Sequence, residues 1–529
     1  MTDPPTEPAG LSLAPLWQSA GWRPDRTALL TPDGSWSYAE LAMTADRWAA
    51  ALVEAGLRRD DVLGSLIDNS PEAVLAVHAA WRVGATICPF NTRLSAIELQ
   101  QQLGLVRPRL LLRRADRDAL RPIPDGVSAP KSSVLVMGGG EGTIDGEGTG
   151  APLNLPALPL SAALPSWPAA GDPAALLFTS GTTGQPKAAT LSHGGLQSHA
   201  AASALRLGCR PDDIWLTPLP LFHIGGLAIL IRSTLAATTM ALSRSGKAED
   251  IASALDCWPV TVISLVPTQL HLLLERWPGP PPRSLRAVLL GGASVDHDLL
   301  SRARMRGWPV AETYGLTEAG SQVATAWPTT GTDTLRTVGA PPMPMTHVEV
   351  RDRLGARLPA EQVGEIWVQG PGVMTGYWKD PISTAAALVD GWLRTGDLGW
   401  QDAGGLLTVA SRREDLIVSG GENVYPAEVE SALVTHPDIS EACVFGVQDP
   451  VWGESVWATI VPATGRVEAE GADASSLWQR RLDDWLAERL AGYKRPRYYV
   501  VAPSLPRTAS GKVSRRAVRK AFGHGADAV

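Results

Sequence analysis

Short apolar runs alternate with longer segments of helical period along the first part of the chain. Val62–Ile67 is mostly apolar and of strand length. Ser70-Pro71 then supplies a capping hydroxyl followed by proline at the first helical position. The predicted helix runs through EAVLAVHAAWRV and stops at Gly84, and a second apolar run, Ala85–Phe90, follows. This strand–helix–strand order suits a parallel sheet. Leu110–Leu112 predicts another short strand. Between Ala174 and about Arg412 the alternation resumes, with strands expected at Thr261–Val266 and Ala287–Leu290. After Arg412 a helix at Ala427–His436 precedes strands at Ala442–Val447 and Val456–Val461. An amphipathic helix follows, with Trp478, Leu482, Trp485, Leu486 and Leu490 on one face.

These patterns predict an α/β fold. A large N-terminal domain of several subdomains with parallel-type sheets spans residues 1–413, and a small α+β C-terminal domain spans 414–529. Residues 121–173 read as an inserted surface loop, because GGGEGTIDGEGTG and PALPLSAALPSWPAAGDP hold too few large apolar side chains to build a core. Val134–Met137 is a candidate short strand within it.

Composition narrows the function classes. A chain of 529 residues exceeds what one core usually serves. The formal charge of −7 gives no global attraction for nucleic acid or anionic lipid. The start, MTDPPTEPAG, lacks the basic and apolar regions of a signal peptide. The longest apolar candidate for a membrane span, Leu227–Leu242, is interrupted by Arg232, so no transmembrane segment is expected. Four cysteines without a CxxC pair argue against a disulfide framework or zinc site. A cytoplasmic protein is the expectation.

The densest local signal is LLFTSGTTGQPKAATLSH, from Leu176 to His193. An apolar strand leads into Thr179, Ser180, Gly181, Thr182, Thr183 and Gly184, with Lys187 at the end. Glycines let backbone N–H groups converge on an anion, hydroxyls add donors, and a lysine supplies the point charge that a polyphosphate needs. The spacing does not satisfy the Walker A pattern GxxxxGK[ST]. Gly291-Gly292, after the apolar run Val288–Leu290, would permit close backbone approach to a ligand.

This segment resembles the glycine-rich motif of the adenylate-forming superfamily, which includes acyl-CoA synthetases, firefly luciferases and peptide-synthetase adenylation domains. TYGLTE (Thr313–Glu318), RTGD (Arg394–Asp397), SRREDLIVSGGENVYPAEVE (Ser411–Glu430) and PRTASGKVSR (Pro506–Arg515) resemble further motifs of that superfamily, in its order. The resemblance runs from about residue 30 to the end of the chain. It implies ATP-dependent activation of a carboxylic acid, with Mg²⁺ as cofactor and CoA as co-substrate. Two anions must then meet, so preorganised positive charge is required. By resemblance, Lys512 bridges carboxylate and phosphate, Thr317 contacts the α-phosphate, and Glu318 binds Mg²⁺. Tyr314 lies against adenine, Asp397 accepts the ribose hydroxyls in a turn, and Arg412 stands alongside. Glu414 falls at the hinge about which the small domain turns between the two half-reactions. Ser419, Gly420 and Gly421 line the path of the CoA thiol. Dimers are common among relatives, so a homodimer is among the expectations.

The acid is addressed by PLFHIGGL, where His223 occupies the superfamily's substrate-gating segment and no amino-acid-binding Asp is present. Arg232 interrupts a run apolar enough to be buried. A buried guanidinium is costly unless paired, either with protein groups or with a second carboxylate of the substrate. Ser321-Gln322 after TYGLTE, LLGGAS before it, and the basic residue nine positions after His223 look most like the o-succinylbenzoate–CoA ligase branch. Arg232, Ser321, Gln322 and His223 are therefore the substrate-binding candidates. The 121–173 segment is longer than expected for that branch. Medium- or long-chain fatty acyl-CoA or aryl-CoA ligation, and a non-catalytic nucleotide-binding relative, are the alternatives.

Overall fold

The computed structural model describes residues 14–114, 133–137, 143–145, 153–154, 164–180, 186–292, 295, 297–330, 339–411, 416–463, 472–507 and 513–523. Lys512, Arg412, Glu414 and Gly181–Gly184 lie outside the described residues, and only the backbone of Ser180 is described.

Local sequence chemistry builds the large domain's sheets. All five residues of the strand Val62–Leu66 are buried, as befits a sheet covered on both faces. Ser70 Oγ accepts the Ala73 N–H to start the helix Pro71–Val83, and Gly84 ends it in the left-handed conformation at φ +79°. The chain returns as Thr86–Pro89, parallel to Val62–Leu66. A nine-stranded sheet grows around this unit. An eight-stranded sheet pairs Ala287–Leu290, Val262–Leu265, Ile214–Thr217 and Thr239–Leu242 in parallel. Antiparallel strands close both its edges. The helix Ile224–Ala236 packs inside, with nine consecutive residues from Gly226 to Thr234 buried.

A third, five-stranded sheet is antiparallel. Its strand Trp392–Gln401 alternates buried and less buried positions, the signature of one wet face. The fourth sheet belongs to the small domain and pairs Ile439–Asp449 with Gly453–Pro462. The small domain has its own core, in which Trp478, Leu482, Leu486 and Leu490 of the expected helix face meet Val444, Val456 and Ile460.

Two expectations change. The 121–173 segment is not only a loop: Ser133–Met137 pairs in parallel with Leu110–Arg114, and Thr143–Asp145 and Leu153–Asn154 extend the same sheet. Ser133–Met137 contains the expected strand Val134–Met137, whereas backbone hydrogen bonding to the sheet edge holds Thr143–Asp145 and Leu153–Asn154, which carry too few apolar residues to be recognised alone. RTGD is not a turn. Arg394–Asp397 lies inside the strand Trp392–Gln401, where a register shift and Gly396 at φ +73° make a bulge. Such a bulge re-aims a side chain without ending the strand. Among the described residues no helix is long and apolar enough to cross a membrane.

Candidate active site

The two domains enclose a cavity of about 1120 Å³. Its walls carry Thr179, Gly291, Gly292, Thr317, Glu318 and Asp397 from the nucleotide-type motifs, and His223, Arg232, Ser321, Gln322, Gly420 and Gly421 from the acid and thiol candidates. Residues spread over some 240 positions of sequence therefore meet in one space.

At the phosphate end, Lys187 sits opposite Thr179 in an antiparallel hairpin. Its ammonium lies 5.3 Å from the centre of the Tyr377 ring, and the Tyr377 hydroxyl donates to Glu318 Oε1 at 3.0 Å. Tyr377 thus links the lysine to the carboxylate. Thr317 and Glu318 lie in a single 3₁₀ turn that ends at Gly320 with φ +74°. A Cβ at Gly320 would approach the Gly372 carbonyl oxygen to 2.5 Å, so the turn requires glycine there. At Gly291 a Cβ would meet Thr313 Cγ2 at 2.5 Å.

No group of three or more His, Cys, Asp or Glu able to hold a metal occurs among the described residues. Mg²⁺ suits this donor set all the same, because it commonly takes one or two carboxylates plus substrate phosphates rather than a protein cage. Glu318, with hydroxyls nearby, supplies hard oxygens of that kind.

Tyr314 and Asp397 are both buried, and the Tyr314 hydroxyl donates to Asp397 Oδ2 at 2.8 Å. The tyrosine thus orients the carboxylate whatever its ring does toward a ligand. Tyr314→Phe is expected to cost about 1–3 kcal/mol by removing a donor from a buried acceptor. It should be read as a lower melting midpoint and a higher KM for ATP.

At the acid end, Arg232 is 5% exposed and points toward Ser321, whose Oγ accepts from its Nη2 at 3.3 Å. Its guanidinium lies 5.1 Å from the Trp215 ring centre, and its Nε is buried without a hydrogen-bond partner. Among the described residues no carboxylate pairs with it. Burial pushes this guanidinium down to about 9. Burial first, and Arg232 next, hold the adjacent His199 down to about 3, so that ring is neutral. Gln322 is buried beside them with its Oε1 unpartnered.

The small domain contributes the third wall. His223 Nε2 meets Glu422 Oε2 at 3.1 Å, and Arg93 pairs with the other oxygen of Glu422. Burial alone would raise the Glu422 carboxyl, but His223 and Arg93 outweigh it and hold it down to about 2. Gly420 (φ +60°) lies against Trp452, and Gly421 (φ +83°) against Val266 of the large domain. Ser419 is buried at the end of the strand Ile417–Ser419 and does not border the cavity.

Arg93, Tyr377 and Glu422 were not foreseen from sequence. Glu422 directly follows Gly421 in the recognised loop and was within reach. Arg93 and Tyr377 carry no local signal.

A phosphate-type hairpin with a lysine, a Glu318 turn and a buried Asp397, closed by a separate small domain, define a class of nucleotide-dependent enzymes built from two unequal parts. The chain belongs to the AMP-binding enzyme family: residues 16–378 match that family and residues 428–512 match the AMP-binding enzyme C-terminal domain. It is 35% identical to the 2-succinylbenzoate–CoA ligase of Geobacillus kaustophilus, over 96% of this chain and 98% of that protein. Two structures of o-succinylbenzoate CoA synthetase from Bacillus subtilis are similar at 34% identity. A double mutant bound with its product analogue gives a TM-score of 0.84, covering 96% of this chain and 98% of that one. The complex with the acyl-adenylate intermediate gives 0.70, covering 97% and 98%.

Proposed function

We propose that the chain is an AMP-forming acid–CoA ligase whose acid is o-succinylbenzoate, which places it in menaquinone synthesis. The observation that carries the substrate is Arg232, a buried cation at the cavity wall without a carboxylate partner among the described residues. The ring carboxylate of o-succinylbenzoate would supply that partner, and the succinyl carboxylate would be the one activated. The names of the relatives agree with this reading.

In the first step the succinyl carboxylate oxygen attacks the α-phosphorus of ATP and pyrophosphate leaves. Lys512 offsets the repulsion between the two anions, and Thr317 holds the α-phosphate. Thr179 to Gly184 and Lys187 take the outer phosphates. Asp397, aimed by the strand bulge and by Tyr314, accepts the ribose hydroxyls, with Arg412 alongside. Glu318 would hold Mg²⁺, which neutralises phosphate charge when bound. In the second step the CoA thiol releases its proton to solvent, its sulfur bonds to the acyl carbon, the acyl–phosphate C–O bond breaks, and AMP leaves with that bond's electron pair.

We place the division between domains at 413/414, with Glu414 as the hinge. The higher similarity to the product-analogue complex than to the acyl-adenylate complex of the same enzyme supports reading the observed arrangement as that of the second step. Gly420 and Gly421 then border the thiol's path. Cytoplasmic location and a homodimer belong to the same proposal, and light scattering of the purified protein tests the latter.

The deciding experiment measures pyrophosphate release with ATP, Mg²⁺ and CoA against o-succinylbenzoate, benzoate, hexanoate and palmitate, with the thioester identified by mass. Strong preference for the dicarboxylate is expected. Preference for a monocarboxylate would replace it with an aryl- or fatty acyl-CoA ligase, and silence on all acids would leave a binding-only relative.

A further inference from the structure

A second set of charges joins the domains at the wall of the same cavity, which Glu98, Glu428 and Lys494 all border. The helix Ala96–Val106 of the large domain begins with a reciprocal cap, in which Glu98 Oε2 accepts the Ser95 N–H and Ser95 Oγ accepts the Glu98 N–H. The small domain docks onto this cap. Glu98 Oε2 also accepts the Ala491 N–H at 2.8 Å, and Ser95 Oγ donates to the Arg489 carbonyl at 2.8 Å. Lys494 then inserts its ammonium between Glu98 Oε1 at 2.6 Å and Glu428 Oε1 at 2.7 Å. Glu98 and Lys494 are each 5% exposed.

We propose that Glu98 and Lys494, with Glu428, form a cross-domain charge latch that selects the arrangement in which the CoA thiol meets the acyl-adenylate, making both of them positioning residues for the thioester step. This inference rests on the two-step reading above.

Neither domain's core needs the latch. Beneath Glu98 the helix is held by Leu103 and Val106 within a large-domain cluster. The small domain closes over its own set of Val429, Leu433, Leu482 and Leu486. Of the two ion pairs in the latch, Glu428–Lys494 lies within the small domain and Glu98–Lys494 spans the two domains. The latch also has an uneven charge count, two carboxylates around one ammonium, and Glu428 Oε2 is buried without a hydrogen-bond partner. Burial raises the Glu428 carboxyl even against Lys494 and so makes its ionised form costly here. Rotating the small domain away would return Glu98 to water and leave Lys494 with Glu428, so the intact latch holds the arrangement without trapping it. Removing the cation alone leaves two carboxylates facing each other in this arrangement and in no other.

The test separates the half-reactions in the full-length protein. Pyrophosphate exchange into ATP reads the first, and single-turnover thioester formation from preformed acyl-adenylate and CoA reads the second. Lys494→Met is expected to slow the second step by about 100-fold, with exchange held within about twofold. Glu98→Gln keeps the helix cap and the lysine, and is expected to slow the second step by only about tenfold. The double variant, with one carboxylate fewer, should be faster than Lys494→Met alone. Equal losses in both half-reactions, an unchanged second step, or additive effects in the double variant would overturn the latch. The split is read with whichever acid supports exchange, so a wrong substrate assignment leaves this test intact. Absence of exchange with every acid in the wild type would instead overturn the two-step reading, and the latch with it.

Discussion

Replacing Arg232 with Leu is expected to lower kcat/KM for o-succinylbenzoate by about 100-fold or more, while benzoate and hexanoate change by less than about threefold. The asymmetry follows from the cavity wall. In the wild type a desolvated guanidinium faces a space with no carboxylate of the described protein to neutralise it. A second substrate carboxylate would complete the pair, and deleting one side of such a buried pair costs about 2–5 kcal/mol. A monocarboxylic acid never makes the pair and loses nothing. Leucine also removes a buried charge that the apo protein must tolerate, so the variant should melt no lower than the wild type. Equal losses for the mono- and dicarboxylic acids would return Arg232 to a structural role.

The same residue sets a pH signature. Burial holds the Arg232 guanidinium down to about 9, far below the usual arginine range, so the cation is present below that pH and lost above it. The ratio of kcat/KM for o-succinylbenzoate to that for benzoate should fall as pH rises through about 9. Using the ratio cancels ionisation of the CoA thiol, which both acids share. In Arg232→Leu the ratio should be low and flat across that range.

The fold was legible in the sequence where local chemistry decides it. Ser70, Pro71 and Gly84 mark both ends of one helix, and the flanking apolar runs can only be buried strands. The places where reading failed are those where a distant partner decides. Gly396-Asp397 has turn chemistry, yet the neighbouring strand Gly364–Gln369 pairs on both sides of it and turns it into a bulge. Thr143–Asp145 is a strand because a sheet edge was available, not because three residues could choose. In the site, the motif residues lie on a few short segments and could be found one by one. Their supports could not: Tyr377 reaches Glu318 across 59 positions, and Lys494 reaches Glu98 across 396. Sequence could say that Arg232 needs a partner. Only the packed structure shows that no described carboxylate fills that place.

Gly421→Ala is expected to slow thioester formation by about 100-fold and to leave acyl-adenylate formation nearly intact. Gly421 adopts φ +83°, where an L residue pays about 1–2 kcal/mol. Its Cβ would also lie 2.8 Å from Val266 Cγ2 and 2.9 Å from Cγ1. Val266 belongs to the large domain, so this overlap arises only when the small domain sits as observed. Overpacking of this kind costs about 1–3 kcal/mol, because the loop must retreat from the wall it closes. The two contributions can be separated. Val266→Ala deletes both clashing methyl groups and should restore about tenfold of the lost thioester rate in the double variant, leaving the backbone strain behind. If the valine substitution gives no recovery, the loss lies in the loop's own conformation rather than in how it docks. If Gly421→Ala slows both half-reactions alike, the Gly420-Gly421 loop has no special place in the thiol's path.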